Sequence, residues 1–113
     1  MPDHELGAED EKIVLLARSA RARNGANEGA AVRDTDGRTY SATTIDLPSF
    51  QLTALQAAVA AAVSSGAEGL EAAAVVSPEP GFREQSVHAV RDVSANVPIF
   101  RADPSGTVLE VLR

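Results

Sequence analysis

Apolar side chains near the start of the chain recur at the spacing of an amphipathic helix. The residues that form this stripe are Ile13, Leu16, Ala17 and Ala20. We therefore predict a helix over residues 9–23. Asn24-Gly25 should end this helix, because glycine readily adopts the left-handed backbone of a C-cap. Residues 1–8 precede the pattern and are predicted to form a flexible leader, so that one domain covers residues 9–113.

The next part of the chain alternates between strand-like and helical patterns. Residues 28–33 and 38–45 predict two strands joined by a turn that contains Asp36-Gly37, a pair typical of β-hairpins. Ser49 is predicted to cap a second helix that runs to about residue 64. That segment is apolar almost all round, and such a helix is usually buried against a sheet or against another subunit.

The last third of the chain continues this alternation. Residues 71–77 form a run of small and β-branched side chains, which predicts a central strand buried on both faces. A helix over residues 83–94, a strand over 98–102 and a strand-like tail over 107–112 follow. The order α-β-β-α-β-α-β and tail predicts an α/β domain with helices covering a sheet.

Composition narrows the class of protein. The chain has 113 residues, 44% of them apolar, which is enough for one domain with its own core. Its net charge of −6 argues against broad binding to DNA or other phosphate backbones. Without cysteine, it has no disulfides and no thiolate metal ligands. No apolar run approaches the length of a membrane span, so we expect no membrane partner and a cytoplasmic protein.

Charge is unevenly distributed along the first third of the chain. Acidic residues cluster at the start of the first predicted helix, and Arg18, Arg21 and Arg23 lie near its end. This arrangement complements the helix dipole. The alternative is that the arginine-rich segment 18–38 forms a contact surface for an acidic protein, an RNA or a ribonucleoprotein.

Several short segments have a recognisable order and spacing. They are Gly29-Ala30-Ala31, Asp36-Gly37-Arg38-Thr39-Tyr40, Ser49-Phe50-Gln51-Leu52-Thr53, Val76-Ser77 and Val97-Pro98-Ile99-Phe100 with Asp103. Together, over residues 9–112, they resemble the cytidine deaminase family. The resemblance implies a three-layer α/β/α fold with a mixed five-stranded sheet. It also implies association into a homo-oligomer, a dimer or tetramer.

Zinc deaminases hold their metal with a His or Cys on one helix and with two Cys of a Pro-Cys-x-x-Cys segment, beside a catalytic Glu. Counting back from Gly66 matches Thr53 to the first ligand and Leu55 to the glutamate. Counting forward from the Asp-Gly turn gives Leu55 and Ala57 instead. Neither choice supplies a metal ligand or a carboxylate.

The second half of the zinc site is matched by residues 80–84. Gly81 and Glu84 stand where the two cysteines would be, and neither supplies a thiolate or imidazole. We therefore predict no bound metal, no other cofactor and no enzyme activity.

The family's nucleoside pocket is matched by altered residues as well. Its stacking Phe falls on Ala26, and its ribose-binding Asn-x-Glu falls on Thr44-Ile45-Asp46. A retained pocket would use Thr44, Asp46 and Arg83. The alternative is that Asp46 is an ordinary carboxylate at the end of a strand.

Three functions remain open at the level of sequence. The first is an inactive deaminase-like protein that acts as an interaction or scaffold module for a protein or ribonucleoprotein partner. The second is a binding protein that keeps an altered pocket for a nucleoside or nucleotide. The third is a metal-independent enzyme with a repurposed site.

Overall fold

The computed structural model describes residues 6–113 of the chain. Within these residues, the helices are α1 (Ala8–Asn24), α2 (Ala54–Ser64) and α3 (Glu84–Val93). The strands are β1 (Gly29–Asp34), β2 (Thr39–Thr43), β3 (Ile45–Leu47), β4 (Phe50–Leu52), β5 (Leu70–Val76), β6 (Ile99–Ala102) and β7 (Val108–Leu112).

Five of these strands form one sheet in the order β2-β1-β5-β6-β7. Only the β5–β6 pair is parallel among the described strands, and the other neighbours are antiparallel. The predicted mixed five-stranded sheet is therefore confirmed. Six of the seven residues of β5 are buried because this strand lies at the centre of the sheet, with helices on both faces.

Side chains alternate between the two faces of the sheet and so form two cores. Ala31, Ala74 and Phe100 belong to the core beneath α1. Ala30 and Ile99 belong to the core that α2 and α3 cover on the opposite face. The structure thus has the three predicted layers, with one helix on one side and two on the other.

Helix α1 packs very closely on β1 at Gly29. A Cβ atom at this position would lie 2.8 Å from the Arg21 Cβ, and the Ala17 carbonyl oxygen would be closer still. Only glycine fits here, because the helix backbone occupies the space that a side chain needs.

The turn between β1 and β2 is stabilised by a buried acidic side chain. Asp34 accepts hydrogen bonds from the backbone N–H groups of Asp36 and Arg38 and from the Tyr40 hydroxyl, each at 2.9 Å. Burial acts to raise the pKa of Asp34, but these hydrogen bonds to the carboxylate outweigh it and hold the pKa below its ordinary value. The Asp-Gly turn therefore depends on an ionised carboxylate two residues before it.

The predicted start of the second helix is wrong. Ser49 is not its cap, because Phe50–Leu52 forms β4 and pairs with β3 in a small separate hairpin. Helix α2 begins at Ala54, and Thr53 is its N-cap within a capping box that Gln56 completes. The capping box prevails because it satisfies two free backbone N–H groups at once.

Helix α1 begins at Ala8, one residue before its predicted start. Leu6, which was predicted to lie in the leader, packs against the core beneath α1. Residues 1–5 of that leader lie outside the described residues. No helix within residues 6–113 is long and apolar enough to cross a membrane.

Candidate functional site

A cleft of about 610 Å³ lies between the β3–β4 hairpin and the N-terminal ends of α2 and α3. Charged groups in its wall are Glu28, Asp46 and Arg83. Side-chain amides come from Asn27, Gln51, Gln56 and Gln85, and hydroxyls from Thr44 and Thr53. Its volume falls in the range of small-molecule sites, which usually place a few polar groups at fixed positions.

A pair of buried hydroxyls joins α2 to α3 at this cleft. The Ser86 hydroxyl donates to Thr53 Oγ1 at 2.7 Å, and both residues are buried. Thr53 Oγ1 also accepts from the Gln56 backbone N–H at 3.1 Å, while Gln56 Oε1 accepts from the Thr53 N–H at 2.9 Å. The Thr53 oxygen is therefore engaged in holding the helix ends together.

Glu28 is a charged residue in the floor of the cleft, and its side chain is only 5% exposed. Its Oε1 lies 3.4 Å from the Ala54 N–H at the start of α2, and its Oε2 lies 3.4 Å from Arg83 Nε. The carboxylate thus compensates the positive end of the α2 dipole as well as a guanidinium. These two partners offset part of the free energy that it costs to bury the Glu28 carboxylate.

Thr44 fixes the backbone of Glu28. Its Oγ1 accepts from the Glu28 N–H at 3.1 Å, and its own N–H donates to the Glu28 carbonyl at 3.2 Å. The predicted pocket residue Thr44 therefore positions the acid in addition to lining the cleft. Glu28 was not among the pocket residues predicted from the sequence. The available signal was an acid directly before the small, buried run Gly29-Ala30-Ala31, where an apolar residue is expected.

Arg83 is the N-cap residue of α3, and its side chain is 41% exposed. Besides its pair with Glu28, its guanidinium lies 3.9 Å from a Glu79 carboxylate oxygen. The loop before it is braced, since the Glu79 N–H donates to Ser77 Oγ and its carbonyl accepts from Arg101. The guanidinium therefore projects from an anchored loop into the cleft.

The structure brings the predicted pocket residues Thr44, Asp46 and Arg83 to this one cleft. Of the four positions matched to the zinc site, only Thr53 is among the residues that line the cleft. Thr53 lies in the cleft wall, Leu55 is fully buried in the core, and Gly81 and Glu84 are exposed. Ser86, not Glu84, is the α3 residue that meets Thr53.

These residues do not fit a zinc ion. Within residues 6–113, no three His, Cys, Asp or Glu side chains are placed to hold a metal. Where α2 meets α3, the polar groups are the hydroxyls of Thr53 and Ser86 and the Glu28 carboxylate, which already lies beside the Arg83 guanidinium. Alcohols are not among the usual zinc ligands, which are thiolate, imidazole and carboxylate.

Some of the arginines in the predicted contact surface form hydrogen bonds or ion pairs with other residues of the chain. Arg21 Nε donates to the Asn27 carbonyl at 3.0 Å and so supports the segment before Glu28. Arg33 pairs with Asp10 and with an acid of β5. Arg18 and Arg23 are exposed on α1. An interaction through Arg18, Arg21 and Arg23 stays a prediction.

Comparison with known proteins agrees with this fold. The family model described as cytidine deaminase-like matches residues 6–106. Cytidine deaminase from Burkholderia pseudomallei is similar in structure, with a TM-score of 0.77, 18% identity and 89% of each chain covered. For cytidine deaminase from Mycobacterium leprae the TM-score is 0.70 at 17% identity, over 91% of this chain and 93% of that chain.

A mutant cytidine deaminase from Mycobacterium tuberculosis gives a TM-score of 0.68 at 23% identity, over 84% of this chain and 85% of that chain. At these identities the structural likeness establishes the fold. No curated protein matches the chain by sequence. The resemblance inferred from short segments is confirmed by the family model.

The same findings contradict the prediction that the protein is not an enzyme. The family model and the similar solved structures point to cytidine deaminases, which are enzymes. The prediction was wrong because it inferred the absence of activity from the residue types at the few positions matched to the zinc site. One fold supports different reactions when the residues of its site change.

Proposed function

We propose, from the premise that this chain belongs to the cytidine deaminase-like family, that its cleft binds a nucleoside. The observation that carries the proposal is the buried Glu28 carboxylate, held beside Arg83 in the floor of a cleft of about 610 Å³. Burying a carboxylate costs free energy. A buried carboxylate in a cleft of this size is therefore the kind of fixed polar group that orients a bound ligand. The names of the similar solved structures support a nucleoside as the ligand.

The remaining polar groups suit the two parts of such a ligand. Asp46 is exposed at the mouth of the cleft, where a carboxylate would accept hydrogen bonds from sugar hydroxyls. Gln51, Gln56 and Gln85 offer amide groups, which both donate and accept. Ile45 and Leu52 add apolar surface against which a flat base would pack.

The charges of the cleft favour a nucleoside over a nucleotide. The lining contains two acidic residues, Glu28 and Asp46, and one basic residue, Arg83. The Arg83 guanidinium already lies beside the carboxylates of Glu28 and Glu79. A phosphate would add negative charge to a wall that is negative overall, with no second arginine to receive it. We therefore expect phosphorylated ligands to bind more weakly than the parent nucleosides.

The proposal is tested by isothermal titration calorimetry of the full chain with cytidine, uridine, adenosine and their monophosphates. Saturable binding of at least one nucleoside is expected, and no binding of any of them would refute the proposal. Arg83→Gln should weaken binding, whereas Arg23→Gln, at an exposed site on α1, is the matched control. Ammonia release in the same samples, with and without added zinc, reports whether a bound nucleoside is converted.

We also propose that the chain associates with itself. The specific observation is exposed apolar surface on the β3–β4 hairpin, where Leu47 and Phe50 are cross-strand neighbours and are 54% and 51% exposed. Apolar side chains grouped in this way often mark protein contacts. Native mass spectrometry should give a homo-oligomer that the double change Leu47→Ser with Phe50→Ser weakens. A monomer at every concentration would refute this proposal.

A further inference from the structure

The Glu28–Arg83 pair offers a ligand an acceptor and a donor side by side. Glu28 Oε2 and Arg83 Nε are 3.4 Å apart, and both residues line the same cleft. A carboxylate has about four acceptor sites, and a guanidinium has five N–H donors. The contacts to Ala54, to Arg83 and to Glu79 use only part of this capacity.

The exposed part of the pair consists mainly of donors. The Glu28 side chain is 5% exposed, so it presents few acceptor positions to the cleft. The Arg83 side chain is 41% exposed and presents several N–H groups. A ligand edge that complements this surface has one N–H donor and an excess of acceptors.

We infer that Glu28 and Arg83 recognise the imide edge of a nucleobase, in which one ring N–H lies between two carbonyl groups. The ring N–H donates to the Glu28 carboxylate, and an adjacent carbonyl accepts from the Arg83 guanidinium. Both hydrogen bonds involve a charged partner, which makes them stronger than neutral ones. This inference rests on the proposed function and names the base that the cleft prefers.

Positioning of the acid supports this role. The Glu28 backbone is fixed by two hydrogen bonds to Thr44, and its carboxylate is fixed by the start of α2. A carboxylate held in this way loses little conformational freedom when a ligand binds. Glu28 and Arg83 are therefore binding residues whose geometry exists before the ligand arrives.

The test compares uridine with 3-methyluridine by calorimetry on the full chain. Methylation removes the ring N–H that Glu28 would accept and leaves the carbonyls and the sugar in place. Loss of one charge-assisted hydrogen bond predicts binding weaker by about 10-fold or more. Uridine should also bind at least as tightly as cytidine, which presents an amino group in place of one carbonyl.

Two variants test whether Glu28 causes the difference in affinity between uridine and 3-methyluridine. Glu28→Gln keeps the shape and removes the charge, so the ratio of the two dissociation constants should fall several-fold toward one. Glu79→Gln is the matched control, because that acid also lies near Arg83 but outside the cleft lining, and the ratio should be unchanged. If Glu28→Gln does not fold, the two ligands on the wild-type chain still decide the question.

The outcomes separate this inference from the proposed function. Equal affinity for uridine and 3-methyluridine, or binding of cytidine without uridine, overturns the imide assignment and leaves nucleoside binding in place. An unchanged ratio in a folded Glu28→Gln variant also overturns it. Absence of binding to any nucleoside overturns both proposals.

Discussion

Replacing Gly29 with alanine should damage the fold at the point where α1 meets β1. The added Cβ would lie 2.8 Å from both the Arg21 Cβ and the Arg21 backbone nitrogen, and nearer still to the Ala17 carbonyl oxygen. Carbon atoms in contact are normally about 3.5–4.0 Å apart. Since the obstructing atoms include helix backbone, a change of side-chain rotamer cannot relieve the overlap.

The cost follows from what has to move. To make room, α1 must shift from the sheet by about 1 Å, which loosens its packing along the whole core beneath it. That core includes Ile13 and Ala17, which are fully buried. Overpacking of this kind costs about 1–3 kcal/mol and occasionally more, and we expect the upper end of that range. The melting temperature should fall by about 10–20 °C.

The assay is urea and thermal unfolding followed by circular dichroism. Gly81→Ala is the matched control, because a Cβ at this exposed position would meet no heavy atom within 4 Å. The control should differ from the wild type by no more than about 0.5 kcal/mol. If Gly29→Ala unfolds at the same urea concentration as Gly81→Ala, then α1 does not approach β1 closely enough to require glycine at position 29.

Two further predictions concern the helix junction and the hairpin. Thr53→Val removes the α2 cap and leaves the buried Ser86 hydroxyl without its acceptor, so it should lower the free energy of unfolding by about 2–3 kcal/mol. Thr53→Ser keeps the hydroxyl and should lower it by less than about 1 kcal/mol. Equal urea midpoints for the two variants would contradict the shared-hydroxyl arrangement. Because the pKa of Asp34 is lower in the folded chain than when unfolded, its contribution is complete above about pH 5 and is lost as the pH falls through the folded pKa. Asp34→Asn should therefore destabilise the chain at neutral pH and flatten the acid side of its stability profile. A variant with the wild-type profile would refute this link.

Most of the main sheet could be predicted from local patterns. Residues 71–77 form a run of small and β-branched side chains, as expected of a strand covered on both faces, and the structure places the corresponding strand β5, Leu70–Val76, at the centre of the sheet. Helix α1 has a stripe of regular spacing and a glycine C-cap in the left-handed conformation. Its predicted bounds are therefore within one residue of those in the structure.

The β3–β4 hairpin was missed because its strands have only three residues each. Residues 50–52 are apolar enough to join the helical pattern that follows, and composition cannot separate them from it. Tertiary contacts decide the boundary, since pairing with β3 satisfies the backbone of β4 while Thr53 and Gln56 close the helix start. This boundary matters for function because the hairpin forms one wall of the cleft.

The sequence alone determined the fold family and the absence of cysteine donors, because both depend on residue types and their order along the chain. It also pointed to Thr44, Asp46 and Arg83 as pocket residues. Only the tertiary structure brought Glu28 to Arg83, 55 positions later in the sequence, and Thr53 to Ser86. Such pairs depend on how α2 and α3 pack on the sheet. The charge of a site is set by which side chains share a space, and that information is absent from any local pattern.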